Sequence, residues 1–284
     1  MSSLALCIKR TLLYSDHFDF PLTAKEIHTR LIEKKATLVE VKTALAELVE
    51  AGSVTKSGIF YHLPARVALP SLRRQRERAS KSLLTLAKRT ARLLSLFPSV
   101  LAIYLTGSLA VLNADSEDDL DFLVICKNDT LWLTRIFITL LIEITGRRRR
   151  PGSSHTRGKI CLNLYLSPVS FPVPRPKQSL YTAYELVQAR SLYDPYNTRA
   201  MLIAKNDWIF HYLPNYQTRS LRRIKEPRNT NFIVRLINLL SYRLQLQYMQ
   251  NKLTSEYITL HSAYFHPHNP GLTVLRKLSK KSDL

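Results

Sequence analysis

The sequence predicts an α+β protein in three parts, namely a small domain at 1–64, a central domain at 65–196 and a helical C-terminal region at 197–284. Three observations support this prediction. The 284 residues suffice for two or three compact units, and 45% hydrophobic with 22% charged residues is typical of a globular protein. Long apolar strand-like runs mix with helical patterns in the central part, which predicts a mixed sheet flanked by helices. Helical patterns dominate after residue 197.

The first 64 residues read as three helices followed by a hairpin. A short helix is predicted over Leu4–Tyr14. Thr23 and Glu26 have the spacing of a capping box for a second helix, and Thr37 caps a third. Two short strands then flank a tight turn at 56–58. This order of elements resembles a winged helix.

A long basic helix is predicted at 66–97. It makes up the connecting segment at 65–98, at the start of the central domain. Its Arg and Lys residues near the start either form a solvated face or contact phosphate groups. The next elements are strands at 99–107 and 119–127, a helix at 131–145, a basic loop at 146–159 and a strand at 159–167. The helix contains Arg135 and Glu143 and is too short to cross a bilayer.

The net charge of +21 favours a polyanionic partner such as nucleic acid, a nucleotide or an anionic membrane surface. Of these we expect a nucleotide, with nucleic acid as a further partner bound through the basic surface or the winged helix, and no membrane. Cys7, Cys126 and Cys161 are too scattered for a disulfide scaffold or a zinc site. With no signal peptide evident at the N-terminus, the sequence predicts a cytoplasmic protein.

The central motif is "TGSLAVLNADSEDDLDFLVI" at 106–125. Asp119 and Asp121 lie two apart at the start of a strand, so their carboxylates share a face and repel each other. A divalent cation, Mg²⁺ or Mn²⁺, would relieve that repulsion, since such ions prefer oxygen ligands and also bind substrate phosphates. Gly107 and Ser108 end the preceding strand and should open a helix whose free N–H groups suit a phosphate.

Gly107-Ser108, a ten-residue spacer and Asp119-x-Asp121 together resemble the signature of the DNA polymerase β-type nucleotidyltransferase superfamily. The resemblance covers about 85–196, where "ELVQARSLYD" from Glu185 is similar to the end of the small members. It implies a nucleotidyltransferase-type sheet, with the glycine–serine loop on the triphosphate of an NTP substrate. Asp119 and Asp121 would be the catalytic metal ligands.

Two departures from that family bear on turnover. The resemblance implies a third carboxylate on the strand at 159–167, where Asn163 shares the face of Cys161, Tyr165 and Ser167. Asn163 thus takes the position of the catalytic acid, and an amide cannot act as a general base. The loop after Ser108 is also apolar where small members have arginine and glycine.

Three functions therefore remain open. The first is a Mg²⁺-dependent nucleotidyltransferase that moves NMP from an NTP to a hydroxyl on RNA, protein or a small molecule. The second is a weakly active or inactive winged-helix regulator that binds nucleotide and nucleic acid, and the third is an assembly role for the C-terminal helices. If Asn163 is not the third position, Glu185 is the first alternative.

Overall fold

The computed structural model describes residues 2–150, 152–153, 155–217, 230–254, 256–265, 271 and 273–276. Within these residues the chain is α+β, with one sheet of three strands and one of six. No helix in the described ranges combines the length and the apolar character needed to cross a membrane.

The N-terminal part follows the predicted order of elements. The elements are α1 Ser3–Asp16, β1 Leu22–Thr23, α2 Ala24–Thr29, α3 Leu38–Glu50, β2 Thr55–Ser57 and β3 Phe60–His62. The predicted capping box of Thr23 and Glu26 is present, and the predicted cap Thr37 forms a capping box as well, with Glu40. The strands form an antiparallel sheet in the order β1-β3-β2 around an apolar core of their own.

The connecting helix α4 spans Leu69–Leu94, inside the predicted 66–97. Arg73 docks it on the N-terminal part, because its buried guanidinium pairs with Glu26 at 2.7 Å and lies over the rings of Phe20 and Phe60. Its apolar stripe, which includes Leu83, packs on the second sheet.

The described residues after α4 form the six-stranded sheet and its helices. The elements in chain order are β4 Val100–Leu105, α5 Gly107–Ala110, β5 Leu120–Cys126, α6 Leu131–Ile144, β6 Ile160–Leu166, α7 Leu180–Gln188, β7 Arg190–Tyr193, α8 Thr198–Ala204, α9 Ile209–Tyr212, α10 Phe232–Met249, β8 Tyr257–Ile258 and β9 Ser262–Tyr264. The sheet order is β7-β4-β5-β6-β9-β8, in which β5 and β6 are parallel and the other neighbours antiparallel.

Apolar cores lie on both faces of this sheet. One face packs on α7, α8 and α9, and the other on α4 and α6. The prediction that Leu164 and Leu166 share the face of Ile160 and Leu162 is wrong. The register between β5 and β6 shifts by one residue before Leu164, and such a β-bulge reverses the alternation of side chains. Leu164 and Leu166 therefore pack on the α7 side.

The predicted helical region at 197–284 also contributes strands. β9 pairs with the edge of β6, and β8 pairs with β9. A strand of two or three residues is too short to show periodicity, which is why the sequence pattern did not reveal them. Residues 218–229, 255, 266–270, 272 and 277–284 of this region lie outside the described residues.

Helix α10 packs on α6 through polar side chains. Asn238 accepts the backbone N–H groups of Trp132 and Leu133 at 2.8 and 3.2 Å, and so caps the start of α6. Gln245 donates to the carbonyl of Trp132 at 2.9 Å. Tyr242 of α10 also packs against Trp132, while other apolar residues of the helix, such as Leu240 and Leu244, are exposed.

Candidate functional site

The two aspartates of the central motif lie together at the start of β5. Asp119 directly precedes the strand and Asp121 is its second residue. One carboxylate oxygen of each lies within 4.8 Å of the other and of the Cys161 Sγ. The three side chains thus form a group that could hold a cation. The shared face predicted from strand periodicity places both carboxylates at one point.

Each aspartate has a polar partner in this structure. The Arg149 guanidinium forms an ion pair with Asp119 Oδ2. The Asn163 amide donates to Asp121 Oδ1. The Cys161 thiol in turn donates to Asn163 Oδ1 at 2.6 Å. Asn163 therefore stands beside Asp121.

Burial and crowding of negative charge raise the pKa of two carboxyl groups. Burial, followed by the charges of Asp119 and Glu185, raises the pKa of Asp121 to about 7, although Arg149 opposes the shift. Burial also raises the pKa of Glu185 to about 7, while a hydrogen bond from the Gly107 backbone opposes it. Near neutral pH both groups are therefore partly protonated in the absence of a cation.

The cysteine stays protonated for the same reasons. Burial and the charges of Asp121 and Asp119 raise the pKa of the Cys161 thiol well above its usual range. In the absence of a cation the thiol is thus a hydrogen-bond donor. The carboxylate oxygens of the cluster are ligands that suit Mg²⁺ or Mn²⁺ better than zinc.

The Gly107-Ser108 turn lies against these carboxylates. Gly107 has a φ of +65°, and a β-carbon at this position would stand 2.7 Å from Asp121 Oδ2. Its backbone N–H is bonded to Glu185. The Ser108 hydroxyl donates to Asp118 Oδ2 at 2.7 Å. In this structure, carboxylates occupy the donors expected to bind phosphate.

The expected helix after the turn is only one turn long. α5 covers four residues, Gly107–Ala110, and the chain reverses at Leu112, whose φ is +61°. A helix this short has little macrodipole, so its N-terminus alone is no phosphate site. The groups suited to a phosphate are the N–H and hydroxyl donors of Gly107 and Ser108.

The basic loop brings a single arginine into the site. The Arg149 N–H donates to the Ile160 carbonyl at 3.0 Å, and the Ile160 N–H donates to the Arg147 carbonyl at 2.7 Å, so this segment runs beside β6. Arg148 turns away and pairs with Glu143 at 3.1 Å. Arg150 pairs with Glu143 as well. Of the arginines at 147–150, only Arg149 reaches the aspartates.

Sequence reasoning found part of this cluster. It identified Asp119, Asp121, Asn163, Gly107 and Ser108, and the structure brings all five together. It did not single out Arg149 within its arginine run, assigned no role to Asp118, and read Cys161 only as a reduced cysteine. Glu185 stood as an alternative acid, and α7 places it beside Asp121.

Comparison with known proteins adds no relative. The chain matches no protein-family model, no curated protein and no solved structure. What the site can do therefore follows from its own chemistry. It combines paired carboxylates, a backbone turn pressed against them, one arginine and an amide.

Proposed function

We propose that the chain is a Mg²⁺- or Mn²⁺-dependent nucleotidyltransferase that moves NMP from an NTP to a hydroxyl acceptor on RNA, protein or a small molecule. The observation that carries the proposal is the placement of the Asp119 and Asp121 carboxylate oxygens within 4.8 Å of each other, directly against the Gly107 backbone. This arrangement joins a cation site to N–H and hydroxyl donors suited to phosphate.

The donor set fits a hard divalent cation. Asp119 and Asp121 would hold it, because carboxylate oxygens are the ligands that such a cation prefers. A bound Mg²⁺ would supply positive charge to the triphosphate and lower the pKa of the acceptor hydroxyl. The charge is needed, since Asp118 and Glu185 add two more carboxylates close to the turn and an NTP alone would be repelled.

The residues of the chain have distinct roles in the proposed transfer. The acceptor oxygen bonds to the α-phosphorus, the bond from that phosphorus to the bridging oxygen breaks, and pyrophosphate leaves. Gly107 N–H and the Ser108 hydroxyl would exchange their carboxylate partners for phosphate oxygens. Arg149, released from Asp119 when a cation binds there, would contact the triphosphate.

The acceptor proton must go to a base. Asn163 cannot take it, because an amide has no proton affinity near neutral pH. Glu185 has a pKa raised to about 7 and lies beside Asp121. A carboxylate with that pKa suits general-base work at neutral pH, which makes Glu185 the residue to which we assign the proton.

The Asn163 contact supports a second candidate function. Its amide donates to Asp121, so in β6 the expected carboxylate is replaced by a group that supports the cation site without catalysis. In that case the protein is a weakly active or inactive regulator that senses a nucleotide and binds nucleic acid through its basic surface or its winged-helix-like part.

The test is transfer of label from α-³²P-labelled NTPs to bulk RNA, to protein and to small hydroxyl compounds, with Mg²⁺ or Mn²⁺. The double variant Asp119→Ala, Asp121→Ala should lose both transfer and cation-dependent nucleotide binding. It should fold normally, because the change removes two groups that repel each other. The matched control is Asp115→Ala, Glu117→Ala, which removes two exposed carboxylates from the preceding loop.

The outcomes separate the two functions. Transfer lost only in the Asp119, Asp121 variant supports the enzyme. Cation-dependent NTP binding without transfer in the wild type supports the regulator. NTP binding that is equal in the wild type and the double variant overturns both, because the aspartates are then not the site.

A further inference from the structure

Helix α4 carries a row of exposed cations along one face. We call this row the α4 ridge. Except for one adjacent pair, its successive members are three, four or seven residues apart, so they lie on one side of the helix. All of them are exposed. The six residues are Arg74, Arg78, Lys81, Lys88, Arg89 and Arg92.

These cations have no anionic partner among the described residues. Two other arginines of the same helix show the contrast. Arg73 pairs with Glu26 and Glu77 at 2.7 and 3.0 Å, and Arg76 lies 3.8 Å from Asp19. The basic cluster predicted at the start of α4 thus divides into docking residues and a free ridge. The docking residues need no ligand, whereas the ridge holds six uncompensated charges.

The ridge is long and nearly straight. From Arg74 to Arg92 it extends about 27 Å at 1.5 Å per residue, which matches about eight nucleotides at 3.4 Å each. The exposed residues between its cations are Gln75, Ser82 and Thr85. These are small or uncharged hydrogen-bonding groups that suit a phosphodiester backbone. A helix that lies on a membrane surface would instead present large apolar side chains at such positions.

The N-terminal part offers a poorer surface for a polyanion. Its third helix, α3, would be the helix of a winged-helix-like unit placed to read DNA. It exposes Glu40, Glu47 and Glu50 with Lys42 as its one exposed cation. That face carries net negative charge and would repel phosphates.

Helix α4 also contacts the basic loop beside the candidate site. A β-carbon at Gly158, in that loop, would stand 3.5 Å from the Leu86 side chain of α4. The Gly158 N–H donates to the Asp118 carbonyl at 3.0 Å. Leu86 belongs to the side of α4 that packs against the apolar core, whereas the ridge lies on the exposed side of the helix.

We propose that the α4 ridge binds the phosphate backbone of a nucleic acid, independently of base sequence, and that α3 does not. The inference stands on the charge and geometry of α4 and does not depend on the proposed transfer reaction.

The test measures binding of fluorescently labelled probes by anisotropy with the full chain, using a 20-nucleotide single-stranded RNA and a 20-base-pair DNA. The ridge variant is Arg78→Gln, Lys81→Gln, Arg89→Gln, because glutamine is a good helix former and should leave α4 folded. The control is Lys25→Gln, Lys35→Gln, Lys205→Gln, which removes the same charge from exposed positions elsewhere. Circular dichroism checks folding of both.

For the wild type we expect the logarithm of the DNA-binding constant to fall with the logarithm of salt concentration, with a slope of about −5 if all six cations contact phosphates. The ridge variant should reduce that slope by about 2.7 and the control variant should not. A preference between RNA and DNA identifies the natural source of the phosphates. Equal losses in the two variants, or an unchanged ridge variant, would overturn the proposal. So would ridge-dependent binding to phosphatidylserine vesicles without binding to either nucleic acid.

Discussion

The backbone of Gly107 lies so close to Asp121 that a β-carbon on residue 107 would stand 2.7 Å from the Asp121 Oδ2 atom. Real β-carbons essentially never approach an oxygen so closely, and the φ of +65° is itself unfavourable for other residues. Two independent constraints therefore require glycine at residue 107. A glycine lets the turn lie against the carboxylate, so the predicted phosphate donors are adjacent to the predicted cation ligands.

The first prediction is that Gly107→Ala costs more stability than φ alone explains. Gly146→Ala is the matched control, because Gly146 has a φ of +66° and no atom within 4 Å of its virtual β-carbon. We expect about 1–3 kcal/mol for each variant from backbone strain, with a further loss only at residue 107. Urea denaturation measures both. Equal losses would contradict the contact with Asp121.

A double variant locates the source of the extra loss. Gly107→Ala combined with Asp121→Ala removes the carboxylate that the new methyl group meets, so part of the lost stability should return. Gly146→Ala combined with Asp121→Ala should show no such recovery, because those two sites share no contact.

The second prediction concerns Arg149, whose guanidinium pairs with Asp119 in the site. Arg149→Ala should tighten Mg²⁺ binding by about 3- to 10-fold, since the guanidinium competes for Asp119 in a pair that is partly exposed and worth about 1 kcal/mol. It should also weaken NTP binding at saturating Mg²⁺. Arg148→Ala removes the same charge from the same loop, but its partner is Glu143. Calorimetric titration compares the two, and weaker Mg²⁺ binding in Arg149→Ala would oppose this role.

Particular residues show how far the sequence predicts this site. The period of two along β5 suffices to place Asp119 beside Asp121. The glycine and serine were found because their spacing resembles a known signature. Arg149 could not be chosen from four adjacent arginines, because its position depends on backbone pairing with Ile160 across the sheet. Such pairing has no local signal in the sequence.

The fold shows the same division between local and long-range determinants. The capping box at Thr23 and the cap at Thr37 have local signatures and were predicted correctly. The bulge in β6 has none, since it depends on how two strands that are distant in sequence align. The bulge leaves Asn163 beside Asp121 but turns Leu164 to the face opposite the one predicted.

The third prediction is a pH dependence through Glu185. Its pKa is raised to about 7 in the folded protein, above the value near 4.3 expected for an unfolded chain. The folded state therefore binds the proton more tightly, and stability falls as pH rises from about 4 to about 7. Glu185→Gln should remove part of that fall, by up to about 3 kcal/mol at pH 8 relative to pH 5.

The measurement is urea denaturation of the metal-free protein at pH 5, 6, 7 and 8. Glu47→Gln makes the same chemical change on the exposed face of α3 and should leave the profile unchanged. Parallel profiles for Glu185→Gln and the wild type would show that Glu185 does not titrate in this window. Asp121 shares the window, so some slope should remain in the variant.

The last prediction is that Asn163→Asp lowers the stability of the metal-free protein and raises its affinity for Mg²⁺. The amide of Asn163 donates to Asp121, so a carboxylate there removes a hydrogen bond and adds a third negative charge. At pH 8 the metal-free variant should lose about 1–3 kcal/mol. Mg²⁺ should restore stability beyond its effect on the wild type, because three carboxylates then share the cation. Asn163→Ala, which loses the bond without adding charge, should lose stability and gain no Mg²⁺ affinity.

If the protein is an enzyme that lacks its usual base, Asn163→Asp should also raise transfer, and general-base help is worth about 10²–10⁴-fold. If it is a regulator, only Mg²⁺ binding should change. A wild type that already transfers NMP rapidly, together with a slower Asn163→Asp variant, would show that the base lies elsewhere. Loss of transfer in Glu185→Gln would then assign the proton to Glu185.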